Sequence, residues 1–151
     1  MNRWPDKLAL LMVTFWVGSL WAIGGIAAPT LFKVIPTTYL AGQVAGKMFT
    51  VVAFVGMASA AYLLIHRLMR FGMGAFRQGF VWIVIAMLVI TLLGHFGIQP
   101  VIAGIKAQAA MPGDMMQDVF ADRFRTWHGI ASIAYLLECL LGIALVLRAR
   151  N

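Results

Sequence analysis

The 151-residue chain is poor in charge: 11% of its residues are charged, where soluble domains carry roughly 25%. With 62% hydrophobic residues and a mean hydropathy of +0.90, it cannot cover a water-facing surface. Lipid removes that requirement, because apolar side chains then face an apolar solvent. The chain has one cysteine, Cys139, inside an apolar run. That excludes an intramolecular disulfide and any CxxC metal or redox motif. There is no Walker loop, nucleophile elbow or HExxH, so no soluble-enzyme signature is present. Gly72-Met-Gly74 follows no strand and is not a dinucleotide fingerprint. The net charge of +7 comes without an aromatic-interleaved basic patch, which removes the usual footing for nucleic acid.

What is there is four long apolar runs. Leu8–Ala28, Leu40–Ile65, Gly79–Ile105 and Arg125–Leu147 each reach the roughly 20 residues needed to cross a hydrocarbon core. They lack the ten-residue alternation of outer-membrane strands, so helix is the expected form. The fold class expected is all-α, a single four-helix transmembrane bundle. A signal peptide is the competing reading of the first run, with Gly25-Ile26-Ala27 as a cleavage site. That run exceeds the 7–15-residue apolar core of a signal peptide, so a retained helix is expected.

Arg67, Arg70 and Arg77 form the strongest short basic cluster, on the same side as Arg3, Lys7, Arg148 and Arg150. Positive residues favour the cytoplasmic side, so both termini are expected there, in a bacterial inner membrane. Trp4, Trp82 and Trp127 near span ends fit interfacial anchoring. Pro112-Gly113 signals a turn in the third link, beside room for a short interfacial helix. No tandem repeat is visible. Gly42-xxx-Gly46 opens the second span, and small residues four apart let helix backbones approach closely. Packing of spans one and two is the expected use, with a homodimer as the alternative.

Ionisable groups at membrane depth are costly and mark the places where function sits. With spans centred at Val52, Thr91 and Leu136, Lys47 lies roughly 7 Å, His95 roughly 6 Å and His128 roughly 12 Å outward of the midplane. Helical spacing extends each into a stripe: Gln43/Lys47, His95/Gln99, and Arg125/His128/Ser132 with Tyr135 one turn on. Facing inward together, they would form a polar pocket open to the outer side. The plainer readings are a snorkelling Lys47, interfacial Arg125 and His128, and a hydrogen-bonded His95. Pro100, one turn beyond His95, is expected to kink span three. Glu138 stands apart, about 3 Å inward of the midplane, as a proton-relay candidate or a neutral carboxyl bonded to a neighbouring helix. Met111, Met115 and Met116 near His128 suit Cu(I), although methionine is also common apolar filler.

These residues carry a resemblance. Ala41-Gly-Gln-Val-Ala-Gly-Lys-Met-Phe49 resembles the AG-xxx-G-xxF signature of the transmembrane protein 205-like family. His95-Phe-Gly-Ile-Gln-Pro100 is similar to its H-x-x-x-x-P stretch, and Phe124-Arg-Thr-Trp-His128 to its F-x-x-x-H motif. The resemblance implies a four-helix membrane protein with Lys47, His95, Pro100 and His128 as hallmarks, and implies no activity. More remotely, the plan is similar to copper-resistance protein D and to the haem-using membrane protoporphyrinogen oxidase, at the level of fold alone.

Three functional readings follow. The first is a binding protein for haem, quinone or metal in the outward pocket. There His95 and His128 would ligate or hydrogen-bond the group, Lys47 or Arg125 would neutralise it, and Gln99 would contribute a polar contact. The second is a non-catalytic accessory or oligomeric subunit using the Gly42/Gly46 face, with the bilayer and a membrane complex as partners. The third is a small proton-coupled transport unit using Glu138 and Lys47.

Overall fold

In lipid, a spanning segment must satisfy its own backbone groups, and helix does so within one segment. The computed structural model describes residues 4–109 and 117–149, arranged as four helical rods. The first rod is α1 (Trp4–Trp21), a π-helical turn (Ala22–Ala27) and α2 (Ala28–Val34). The second is α3 (Thr38–Phe71), followed by a 3-10 turn (Gly72–Arg77). The third is α4 (Gly79–Leu92), a second π turn (Leu93–Ile98) and α5 (Gln99–Ala109). The fourth is α6 (Gln117–Arg148). All four rods are long and apolar enough to cross a membrane.

The rods overrun the apolar runs, most clearly where α3 continues past Ile65 to Phe71. Arg67 and Arg70 end the apolar run, but arginine is a good helix former and does not end the helix. Gly72 does, with φ at +53°, a left-handed value that glycine adopts without a Cβ clash.

Pro29 and Pro100 sit inside rods without ending them. Each lacks an N–H, so the carbonyl four residues earlier, Gly25 or Phe96, loses its usual donor. A wider π turn ends two residues before each proline and shifts the bonding register. The kink expected at Pro100 thus takes the form of a π turn over Leu93–Ile98. The same device recurs at Pro29, which the apolar pattern alone does not mark.

Each rod packs against the next, and the fourth closes against the first. Asp6 of the first rod and Arg148 of the fourth both meet the region joining rods two and three, at one end of the bundle. Asp6 pairs there with Arg70 and lies 3.2 Å from His66 Nε2. Arg67 donates to Gln78 Oε1 at 3.1 Å and lies 4.2 Å over the Phe80 ring. The adjoining half is densely packed, with Val13, Trp16, Leu20, Leu63, Val84, Met87 and Leu145 fully buried. Leu11, Phe15, Val51, Ile65, Val89, Ile133 and Leu140 face outward. In water so much exposed apolar surface would drive association, whereas in lipid it is the ordinary exterior.

The glycine pair expected to seat spans one and two does something else. A Cβ at Gly46 would meet nothing within 4 Å, and one at Gly42 would meet Lys106 Nζ of the third rod at 3.2 Å. The close seat between rods one and two is at Gly56, where a Cβ would fall 2.6 Å from Trp16 Nε1. Gly42 and Gly46 instead face a cavity.

Candidate functional site

In the half away from the chain ends, the four rods surround a cavity of about 1040 Å³. Small residues line it, and a Cβ at Gly25 or Gly46 would meet nothing within 4 Å. Volumes of roughly 300–1,000 Å³ hold drug-sized ligands, so this one sits at the upper end of that range. Its walls are mainly apolar, with a few polar groups, most of them contributed by rods three and four.

The third rod presents Thr91, His95, Gln99, Ile102 and Lys106 to the cavity. Their spacing is that of one helix face. The π turn carries His95, whose ring meets Phe54 edge-on at 5.2 Å and Phe96 at 4.8 Å. His95 Nδ1 is buried and has no hydrogen-bond partner among the described residues. Lys106 Nζ donates to the Gly42 carbonyl at 3.2 Å and lies 5.7 Å from the Phe124 ring. No carboxylate pairs with Lys106 among the described residues.

The fourth rod presents Phe124, His128, Ser132, Tyr135 and Glu138, again on one face. His128 stacks on Phe124 at 5.5 Å with an interplanar angle of 12°. Tyr135 donates to the Leu20 carbonyl at 2.6 Å, just before the first π turn, and meets Phe49 edge-on at 5.1 Å. Gly24 makes room for that ring, since a Cβ there would fall 2.2 Å from Tyr135 Cε1.

Glu138 is buried at the inner end of the cavity. Thr91 Oγ1 lies 2.6 Å from Glu138 Oε1 and 2.9 Å from the Met87 carbonyl. One hydroxyl has one proton to donate. A protonated Glu138 donating to Thr91, with Thr91 donating to Met87, satisfies both contacts. Thr91→Val removes the shared hydroxyl and strands a buried carboxyl, an expected loss of about 1–3 kcal/mol. Thermal unfolding in detergent measures it, and a midpoint equal to wild type would remove the pair from the account of stability.

The structure therefore brings His95, Gln99 and His128 to one cavity and leaves Lys47 and Arg125 outside it. Both of those side chains are exposed and neither lines the wall. Gln43 is likewise exposed, donating to the Tyr39 hydroxyl at 3.1 Å. The cation that does line the wall is Lys106, which the charge count along the sequence assigns to the outer link. Glu138 does not stand apart, since it shares the cavity with Tyr135 and His128. Thr91 and Lys106 had a signal: the His95/Gln99 stripe continued one turn inward and two turns outward reaches them. Met111, Met115 and Met116, and the Pro112-Gly113 turn, lie outside the described residues. Among the described residues no group of three or more His, Cys, Asp or Glu side chains is arranged to hold a metal ion.

No curated protein and no solved structure matches the chain. A family model does match, over residues 11–111, which carry Gly42, Thr91, His95, Gln99 and Lys106. That match covers well over half of the sequence, and the chain belongs to the DUF4149 family, a domain of unknown function.

Proposed function

We propose that this chain is a four-span protein of the bacterial inner membrane, with cytoplasmic termini, that binds a membrane-dissolved amphiphile. The observation that carries this reading is the cavity: about 1040 Å³, mainly apolar, with His95, Gln99, Lys106 and His128 on its walls. A soluble metabolite would need more polar contacts than these walls offer, whereas an apolar body with one polar end matches them. The Arg67, Arg70 and Arg77 cluster at the end shared by both termini supports the orientation. The transmembrane protein 205-like resemblance is compatible with it.

Haem and quinone are among the amphiphiles that this reading admits. Two imidazoles can serve as axial haem ligands, and His95 and His128 both line the cavity, where either could instead bond a quinone carbonyl. A bare metal ion fits less well, because its donors would have to come from more side chains than two histidines. The test is a visible spectrum of the detergent-purified protein, oxidised and dithionite-reduced, with analysis of its organic extract. The expected result is a chromophore or extractable amphiphile at stoichiometric level, diminished in His95→Ala and His128→Ala. A colourless protein with nothing in the extract beyond bulk lipid would overturn the reading.

A further inference from the structure

The cavity is electrically lopsided. Lys106 is the one Lys or Arg on its wall among the described residues. It is half-buried, and its one hydrogen bond among the described residues is to the Gly42 carbonyl. A cation drawn into an apolar cavity wants an anion, and a lone carbonyl is a weak substitute. Glu138, the acid on the same wall, is far from it. Thr91, which holds Glu138, is fifteen residues from Lys106 along the third rod, roughly 22 Å at helical rise. That exceeds the roughly 15 Å of hydrocarbon in one leaflet, so the cavity is long enough for a lipid tail.

Glu138 Oε1 has the Thr91 hydroxyl as its hydrogen-bond partner. Lys106 at the outer end has a carbonyl partner and no carboxylate among the described residues. Resting on the reading that the cavity binds an amphiphile, we propose that the amphiphile carries an anionic head, a carboxylate or a phosphate. The head docks on Lys106 beside His128, and the tail runs inward along Ala45, Gly46 and Phe49 toward Thr91. Gly42 belongs to this device, because a side chain there would push the ammonium away from its place. The Phe124 ring meets both Lys106 and His128, 5.7 Å from Lys106 Nζ and 5.5 Å from the His128 ring.

The experiment measures binding of three probes to the full chain in nanodiscs of zwitterionic phosphatidylcholine. Oleate offers a carboxylate, oleoyl lysophosphatidate a phosphate, and methyl oleate the same tail without charge. A charge-assisted bond of this kind corresponds to about ten-fold or more in affinity. At least one anionic probe should therefore bind ten-fold more tightly than methyl oleate. Which one does so identifies the head as carboxylate or phosphate. The preference should vanish in Lys106→Gln, persist in Lys106→Arg, and persist in Lys33→Gln. Lys33→Gln loses the same charge from an exposed position off the cavity. Equal binding of all three probes to the wild type would overturn the anionic head while leaving an amphiphile site standing. A preference unchanged in Lys106→Gln would overturn the role of Lys106. Failure of all three probes to bind would overturn both the head assignment and the cavity reading beneath it.

Discussion

Trp16→Ala is expected to be the most damaging single truncation in the molecule, costing about 3–5 kcal/mol. Trp16 is fully buried at the centre of the packed half, against Gly56 of the second rod. Its Nε1 has no hydrogen-bond partner among the described residues, so truncation sacrifices no bond there. The whole cost is packing. Between helices in lipid, packing is also the main attractive force, because apolar burial gains nothing over contact with acyl chains. Gly56→Leu tests the same seat from the other side. Its Cβ would fall 2.6 Å from Nε1 of a ring that is enclosed on all sides, an overpacking cost of about 1–3 kcal/mol. Thermal or denaturant unfolding in a fixed detergent reads both. If Trp16→Ala were as stable as wild type, the packed half would not be the part that holds the rods together.

Gly46→Phe is expected to leave stability close to wild type and to abolish ligand binding. A Cβ at Gly46 would meet nothing within 4 Å, and the position opens onto the cavity. The added ring therefore occupies ligand volume rather than colliding with a neighbour. The contrast with Gly56 is the point. Both glycines lie on α3, yet one supports a helix seat and the other preserves a space. Co-purifying or added amphiphile, measured alongside the unfolding midpoint, separates the two effects. Unchanged binding in a folded Gly46→Phe protein would place the ligand elsewhere. A collapse in stability would show that the glycine serves packing after all.

Much of this architecture is legible in the residues themselves. Runs of some twenty apolar residues between charged links specify four helices, because the backbone has no other way to satisfy itself in lipid. Helical rise alone sets His95 and His128 on the same side of the expected midplane. Both residues line a single cavity. Three things were not legible. The π turns were hidden, because Pro100 signals a lost hydrogen bond without saying whether the helix bends or widens in response. The facing of Lys47 was hidden too, since a lysine near a span end is equally consistent with an inward or an outward side chain. And Gly42-xxx-Gly46 reads as a helix seam, because small residues allow close approach without saying what approaches. Here it is the ammonium of Lys106, carried by a residue that the charge pattern assigns to a solvent-facing link.

The family match divides the site between rods. Residues 11–111 take in most of the first rod, the second and third rods, and every cavity residue named on them, whereas His128, Tyr135 and Glu138 lie on the fourth rod beyond the matched stretch. The stripe on that fourth rod closes the cavity, so the site is built from the matched and unmatched parts together.

The most direct measurement is native mass spectrometry of the intact protein released gently from detergent, with Gly46→Phe as its partner sample. The expected result is a wild-type mass above that of the bare chain by one discrete, stoichiometric adduct, absent from a folded Gly46→Phe. A wild-type protein that flies at the mass of the bare chain, or an adduct equally abundant in Gly46→Phe, would contradict a ligand held in this cavity.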